Sequence, residues 1–153
     1  MIVRKMLIHE IDVTVNLFNY YRDEAVETIP SIADEYDEDA VLDTIRNYNI
    51  QYDHCWLNLY DNQRPVGFVA GYIVAKPWSK TSLIANLQFI YVLKSHRNLE
   101  VFKQLVNEFE TWARQFNVKQ ITAGDIGIDI ERSEKLYEHL GYTKELAVSK
   151  DIA

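Results

Sequence analysis

Two spacings of apolar residues alternate along the chain, and the clearest change from one to the other lies past its midpoint. Asn86-Leu-Gln-Phe-Ile-Tyr-Val-Leu93 puts Leu87, Phe89, Tyr91 and Leu93 on one side of an extended segment, with Gln88, Ile90, Val92 and Lys94 on the other. β-Branched and aromatic residues dominate it, which suits a strand buried on both faces. The polar turn Lys94-Ser-His-Arg97 stops the strand. Phe102, Leu105, Val106, Phe109, Trp112, Ala113 and Phe116 then recur at steps of three and four, predicting an amphipathic helix over 99–117. The first turn of such a helix leaves backbone N–H groups unpaired at the positive end of its dipole, where an anion can sit. Lys94, His96, Arg97 and Lys103 cluster around that start.

The remaining elements follow from the same two periods. Val3 to Ile11 reads as a first strand, and Asp12 as the N-cap of a helix with Val13, Leu17, Phe18 and Tyr21 inward. Between Asp23 and Asp43 stand nine Asp or Glu and no Lys or Arg. Such a run is either a solvated face or a wall that attracts cations. Pro30 interrupts it, and Val41, Ile45 and Tyr48 support a second helix from about Asp37 to Tyr48. Cys55–Tyr60 and Val66–Ala75 read as a hairpin around the turn Asp61-Asn-Gln-Arg-Pro65. Gly67 and Gly71 in the returning strand point to a bulge or a close backbone approach. After the long helix come a short strand, Lys119 to Ala123, and a short helix, Glu131 to Leu140, with Gly141 at its C′ position. A last strand is expected over Tyr142–Ile152, carrying Leu146 and Val148. The order β-α-α-β-β-β-α-β-α-β predicts an α/β protein with a mixed, mostly antiparallel central sheet and helices on both faces.

Composition narrows the function classes. A chain of 153 residues is expected to form a single domain over 1–153, with 48% hydrophobic residues to fill its core. A net charge of −7 disfavours nucleic acid as a partner, because duplex binding needs a basic face. Cys55 is the only cysteine, so neither an intrachain disulfide nor a thiolate metal cluster is expected. No metal-ligand spacing is present either, since there is no H-x-x-x-H and the Asp34–Asp39 run lacks the glycine of a calcium loop. The absence of a G-x-S-x-G elbow argues against serine hydrolase chemistry. No apolar run approaches the ~20 residues of a membrane span and no signal peptide is evident, so a cytoplasmic protein without membrane contact is the expectation.

Two stretches resemble the GNAT superfamily of acyl-CoA-dependent N-acetyltransferases. Phe89-Ile-Tyr-Val-Leu-Lys-Ser-His-Arg97 with its helix is similar to that family's strand-loop-helix, and Lys135-Leu-Tyr-Glu-His-Leu-Gly-Tyr142 to its late LYxxLGF/Y signature. The resemblance implies a GNAT-like fold and acetyl-CoA as co-substrate, with no metal. It further implies transfer of the acyl group to a primary amine by direct attack on the thioester. The backbone at Ile90, Tyr91 and Val92 would hold the thioester carbonyl where the strand opens at a bulge. Arg97 and the amides of Asn98, Leu99, Glu100, Val101, Phe102 and Lys103 would cradle the pyrophosphate. Tyr137 would return a proton to the leaving thiolate. Gln88 stands where many relatives have a glutamate, so Asp125, at the end of its strand, is the best substitute base; His54 and His96 are weaker candidates. The acceptor wall would be Asp23–Asp43 with Trp78 and the 76–82 loop, suited to a cationic small amine, a protein lysine or an N-terminus.

This chain departs from the family at several positions. The family's loop reads Q/R-x-x-G-x-G/A, whereas Glu100 and Phe102 fill both glycine positions here, Lys94 replaces a proline, and Ile130 replaces a common Asn. Glu100 would place a carboxylate near a phosphate unless it swings outward. Glycine-poor loops of this kind resemble phage-encoded members of the family. A second reading follows: a GNAT-fold module without turnover that binds a protein partner or serves structurally, for instance in a virion. A different acyl donor in the same groove is a third, and a homodimer is compatible with all of them.

Overall fold

The computed structural model describes residues 1–124 and 129–152. Five strands, β1 (Ile2–Lys5), β2 (His54–Asp61), β3 (Arg64–Ala75), β4 (Leu83–Val92) and β5 (Gln120–Ala123), lie in sequence order across one sheet. The first four are antiparallel and β5 joins β4 in parallel. Helices α1 (Ile11–Ala25), α2 (Ile32–Glu35) and α3 (Glu38–Ile50) come before the hairpin, α4 (Leu99–Arg114) links β4 to β5, and α5 (Ile130–His139) follows. The α/β class and mixed sheet agree with the sequence reading.

On the inward stripe of α1, Leu17 is buried, and Phe18 and Tyr21 lie in an aromatic cluster with Trp56, Phe68, Phe89 and Tyr91. Ring centroids there are 4.9–6.5 Å apart, near the separations at which tilted and edge-to-face pairs gain most. A buried polar link fixes the same helix. Asn58 Nδ2 donates to Thr14 Oγ1 at 2.8 Å and Trp56 Nε1 donates to Asn58 Oδ1 at 3.1 Å. On the opposite face α4 buries Leu105, Val106 and Phe109. Gly71 allows that close approach: a β-carbon there would lie 2.1 Å from Asn86 O and 2.7 Å from the Phe109 ring.

Three element boundaries differ from expectation. The first strand is only Ile2–Lys5, because the apolar spacing beyond Met6 already belongs to a 3-10 turn and then to α1. The long helix ends at Arg114, with Asn117 at φ 54° closing the turn after it. The strand expected over Tyr142–Ile152 is not formed, and residues 143–152 are exposed, with Leu146 at 90% and Val148 at 85%. Burying those two side chains would contribute about 3–5 kcal/mol. Ordering ten backbone residues costs about 10 kcal/mol or more, so the segment stays off the short β5 edge.

Candidate functional site

The site grows from an irregularity in β4. Ala70 pairs with Phe89 and Gly71 with Leu87, so Gln88 is an extra residue without a partner on β3. The bulge puts two successive side chains on the same face. Gln88 Oε1 accepts from Tyr48 Oη of α3 at 2.5 Å, and the Phe89 ring meets Phe18 of α1 edge-on. On the other edge, β5 follows β4 only from Ile84 to Leu87, and the last contact is Gly124 N donating to Leu87 O at 3.1 Å. Beyond it, no described residue pairs with β4 on that side.

Backbone direction then sorts the three positions proposed for the carbonyl contact. Leu93 N donates to Val66 O, so Leu93, and by alternation Tyr91, turn their polar groups to β3. Val92 turns the other way, because its carbonyl accepts from Arg97 Nε at 2.6 Å. Ile90 shares that direction by alternation. Ile90 and Val92 therefore present backbone groups along the open edge. Tyr91 does not, and its hydroxyl instead donates to Glu24.

A groove of about 570 Å³ lies along this edge, between the end of α1, the start of α4 and the start of α5. Ile90, Val92, Arg97, Asn98 and Phe102 line it. Asn98 caps α4 by accepting from Val101 N at 2.9 Å, which leaves Leu99 and Glu100 with the N–H groups a helix cannot satisfy itself. Val101 is buried in the core beneath. Glu100 is 84% exposed and turns to Lys103 at 3.6 Å, so its carboxylate points away from the groove. Phe102 is buried, reaches the groove wall and stands edge-on to Tyr137 at 5.1 Å.

Tyr137 lies behind that wall. It is buried between Phe102 and Tyr142 and lines a second cavity of about 700 Å³, whose wall also includes Asn86, Thr122 and Gly124 at the point where β4 and β5 part. Asp125 lies outside the described residues. The weaker bases are both held by carboxylates: His54 Nδ1 is 2.7 Å from Asp53, and His96 Nε2 is 2.9 Å from Asp61. Burial pushes the Cys55 thiol up to about 12, so it offers no thiolate nucleophile near neutral pH. Among the described residues no group of three His, Cys, Asp or Glu could hold a metal ion.

The sequence reading placed Asp23–Asp43 with Trp78 in one acceptor wall, and the structure divides that stretch. Asp23, Glu24 and Glu27 line the groove that also holds Arg97. Trp78, 80% exposed, sits in the loop before Leu83, at the far end of β4 from Val92. Ten strand residues separate the two ends by about 30 Å. Glu24 was missed as a groove residue. Its Oε1 and Oε2 each accept from Arg97 Nη2 at 2.7 Å, Tyr91 Oη donates to it, and Lys94 Nζ is 3.9 Å away. A signal existed, because Glu24 lies three residues past Tyr21 on the inward stripe of α1, where a charge is out of place.

Residues 15–142 match the Acetyltransferase (GNAT) family. The chain belongs to the GNAT acetyltransferase family. Over 64 residues it is 34% identical to an aminoglycoside N(6')-acetyltransferase type 1 of Acinetobacter haemolyticus, a match that spans 42% of this chain and 43% of that protein. The chain thus covers less than half the length of this curated relative. Among solved structures, a probable acetyltransferase aligns over 100% of this chain and 99% of its own with a TM-score of 0.78 at 16% identity. The aminoglycoside N-acetyltransferase AAC(6')-Iy in complex with CoA aligns over 99% and 93% with a TM-score of 0.73 at 18% identity. At such identities these structures establish the shared GNAT fold. Among the described residues, no helix of this GNAT protein is long and apolar enough to cross a membrane.

Proposed function

We propose that this GNAT protein, acting as one domain over 1–153, transfers an acetyl group from acetyl-CoA to a primary amine. The observation that carries the reading is the parting of β4 from β5 beyond Leu87, which leaves the backbone of Ile90 and Val92 facing a groove beside Arg97. An N–H on that open edge can hold the thioester carbonyl and stabilise the oxyanion as the amine attacks. The C–N bond forms, the C–S bond breaks, one amine proton passes to water or a nearby base, and the thiolate takes a proton. Tyr137 is our choice for that last donor, because it is buried where the strands part. Direct transfer is the route in this reading; burial pushes the Cys55 thiol up to about 12, which makes it a poor carrier of an acetyl intermediate.

An aminoglycoside is the first acceptor to assay, given the curated relative that matches part of the chain. Cationic small amines, a peptide lysine and a peptide N-terminus complete the panel. The assay follows free CoA thiol released from acetyl-CoA, with mass spectrometry of the acceptor. Acceptor-dependent thiol release with a mass gain of one acetyl group supports the proposal. Silence across the panel, with no CoA bound at millimolar concentration, contradicts it. That result would favour the second reading, a GNAT fold kept for binding or structure, which the Glu24 contact on Arg97 and the ring at Phe102 also favour.

A further inference from the structure

We infer that Glu24 is a donor-specificity residue: its carboxylate occupies the guanidinium face of Arg97 that a nucleotide diphosphate would use, and so weakens binding of the diphosphate without affecting the pantetheine arm. The inference rests on the acetyl-CoA reading above and concerns the same groove. A carboxylate and a phosphate oxygen seek the same donors on a guanidinium. Here Nη2 already donates to both oxygens of Glu24 at 2.7 Å each, and Nε donates to Val92 O at 2.6 Å. Among the described residues' hydrogen bonds, these leave only Nη1 of the donor set that would meet an incoming phosphate.

The carboxylate is firmly held. Its side chain is 14% exposed and Arg97 is 25% exposed. Tyr91 Oη donates to it from the strand below, and burial together with the nearby Glu24 raises the Tyr91 pKa, keeping that phenol protonated and donating. Helix α1 presents Glu24 from its inward stripe, fixed by the Phe18 and Tyr21 rings on the sheet. The surrounding charge acts in the same direction, because among the described residues five carboxylate side chains and three cations line the groove. Like charges repel a diphosphate wherever solvent screening is incomplete. The pantetheine arm, by contrast, is neutral and would lie along Ile90 and Val92.

The test is calorimetric binding of CoA and of pantetheine, which lacks the diphosphate, to the full chain and to Glu24→Gln and Glu24→Ala. Glu24→Gln keeps the shape and an acceptor for Tyr91; Glu24→Ala empties the space, so one variant covers for the other if folding suffers. Both variants should bind CoA about tenfold or more tightly than the parent, while pantetheine affinity stays within about twofold. Unchanged or weaker CoA binding in both variants, with clear binding by the parent, overturns the inference and makes Glu24 a residue that positions Arg97; the acetyl-CoA reading then stands. No CoA binding by the parent or by either variant removes both.

Discussion

The two halves of β4 share one strand, one sheet and one core but have different neighbours. From Ile84 to Leu87 the strand is paired on both edges, with β3 on one side and β5 on the other. From Ile90 to Val92 the described residues pair with it on one edge only, and the other edge faces the groove. Between them lie the extra residue Gln88 and then Phe89. The paired half satisfies its backbone with other strands and therefore serves stability. On the open half Val92 O accepts from Arg97 Nε, and the remaining backbone groups of that edge are the ones we propose for the acyl donor, positioned by the first half.

The largest effect should come from crowding the paired half. Gly71→Ala puts a methyl group into Asn86 O and the Phe109 ring, both elements being fixed, and should cost about 3 kcal/mol or more in urea unfolding. A loss below about 1 kcal/mol would show that this half is looser than described. Next come truncations on either side of the bulge. Leu87→Ala, fully buried, should cost about 3 kcal/mol and leave the KM for acetyl-CoA unchanged in the surviving folded protein. Ile90→Ala, on the groove wall, should cost nearer 2 kcal/mol and raise that KM several-fold. Equal kinetic effects from the two would erase the distinction between the halves.

Tyr137→Phe should lower kcat by about thirtyfold, or about 2 kcal/mol, with little change in KM. An unchanged kcat would assign Tyr137 to packing between Phe102 and Tyr142 alone. The smallest effect is expected far from β4. Hydrogen bonds from Arg4 hold the Glu10 carboxyl down from its ordinary 4.5 to about 2, with Leu7 N donating as well. A carboxyl whose folded pKa is depressed stabilises the fold above its unfolded pKa and loses that contribution as pH falls through the folded value. Stability should therefore drop by about 1 kcal/mol between pH 5 and pH 2, a figure kept small because Arg4 is 40% exposed. Glu10→Gln should flatten that part of the profile, and an unaltered slope would assign it to other carboxyls.

Much of this architecture is legible in residue spacing. Six of the seven apolar positions predicted for the long helix, and Gly141 at φ 90°, reflect local physics that acts within a few residues. The groove is less legible, because its contacts span long stretches of chain. Arg97 meets a carboxylate 73 residues earlier, and the acidic run that looked like one surface divides between the end of α1 and the helices after it. Glu100 showed the risk of reading a loop by residue type alone, since its exposed carboxylate pairs with Lys103 and leaves the helix start clear. The last segment misled for the opposite reason. Leu146 and Val148 alternate as strand residues do, but alternation alone cannot supply the buried area that a strand needs.

Backbone amide NMR during a CoA titration examines the division of β4 most directly, because each amide reports on its own half. The amides of Ile90, Val92, Leu99 and Glu100 should shift with saturation, while those of Ile84 and Ala85, below the bulge, should hold still. Shifts gathered instead around Tyr142 and the 143–147 segment, or none at millimolar CoA, would contradict the assignment of the open half to the acyl donor.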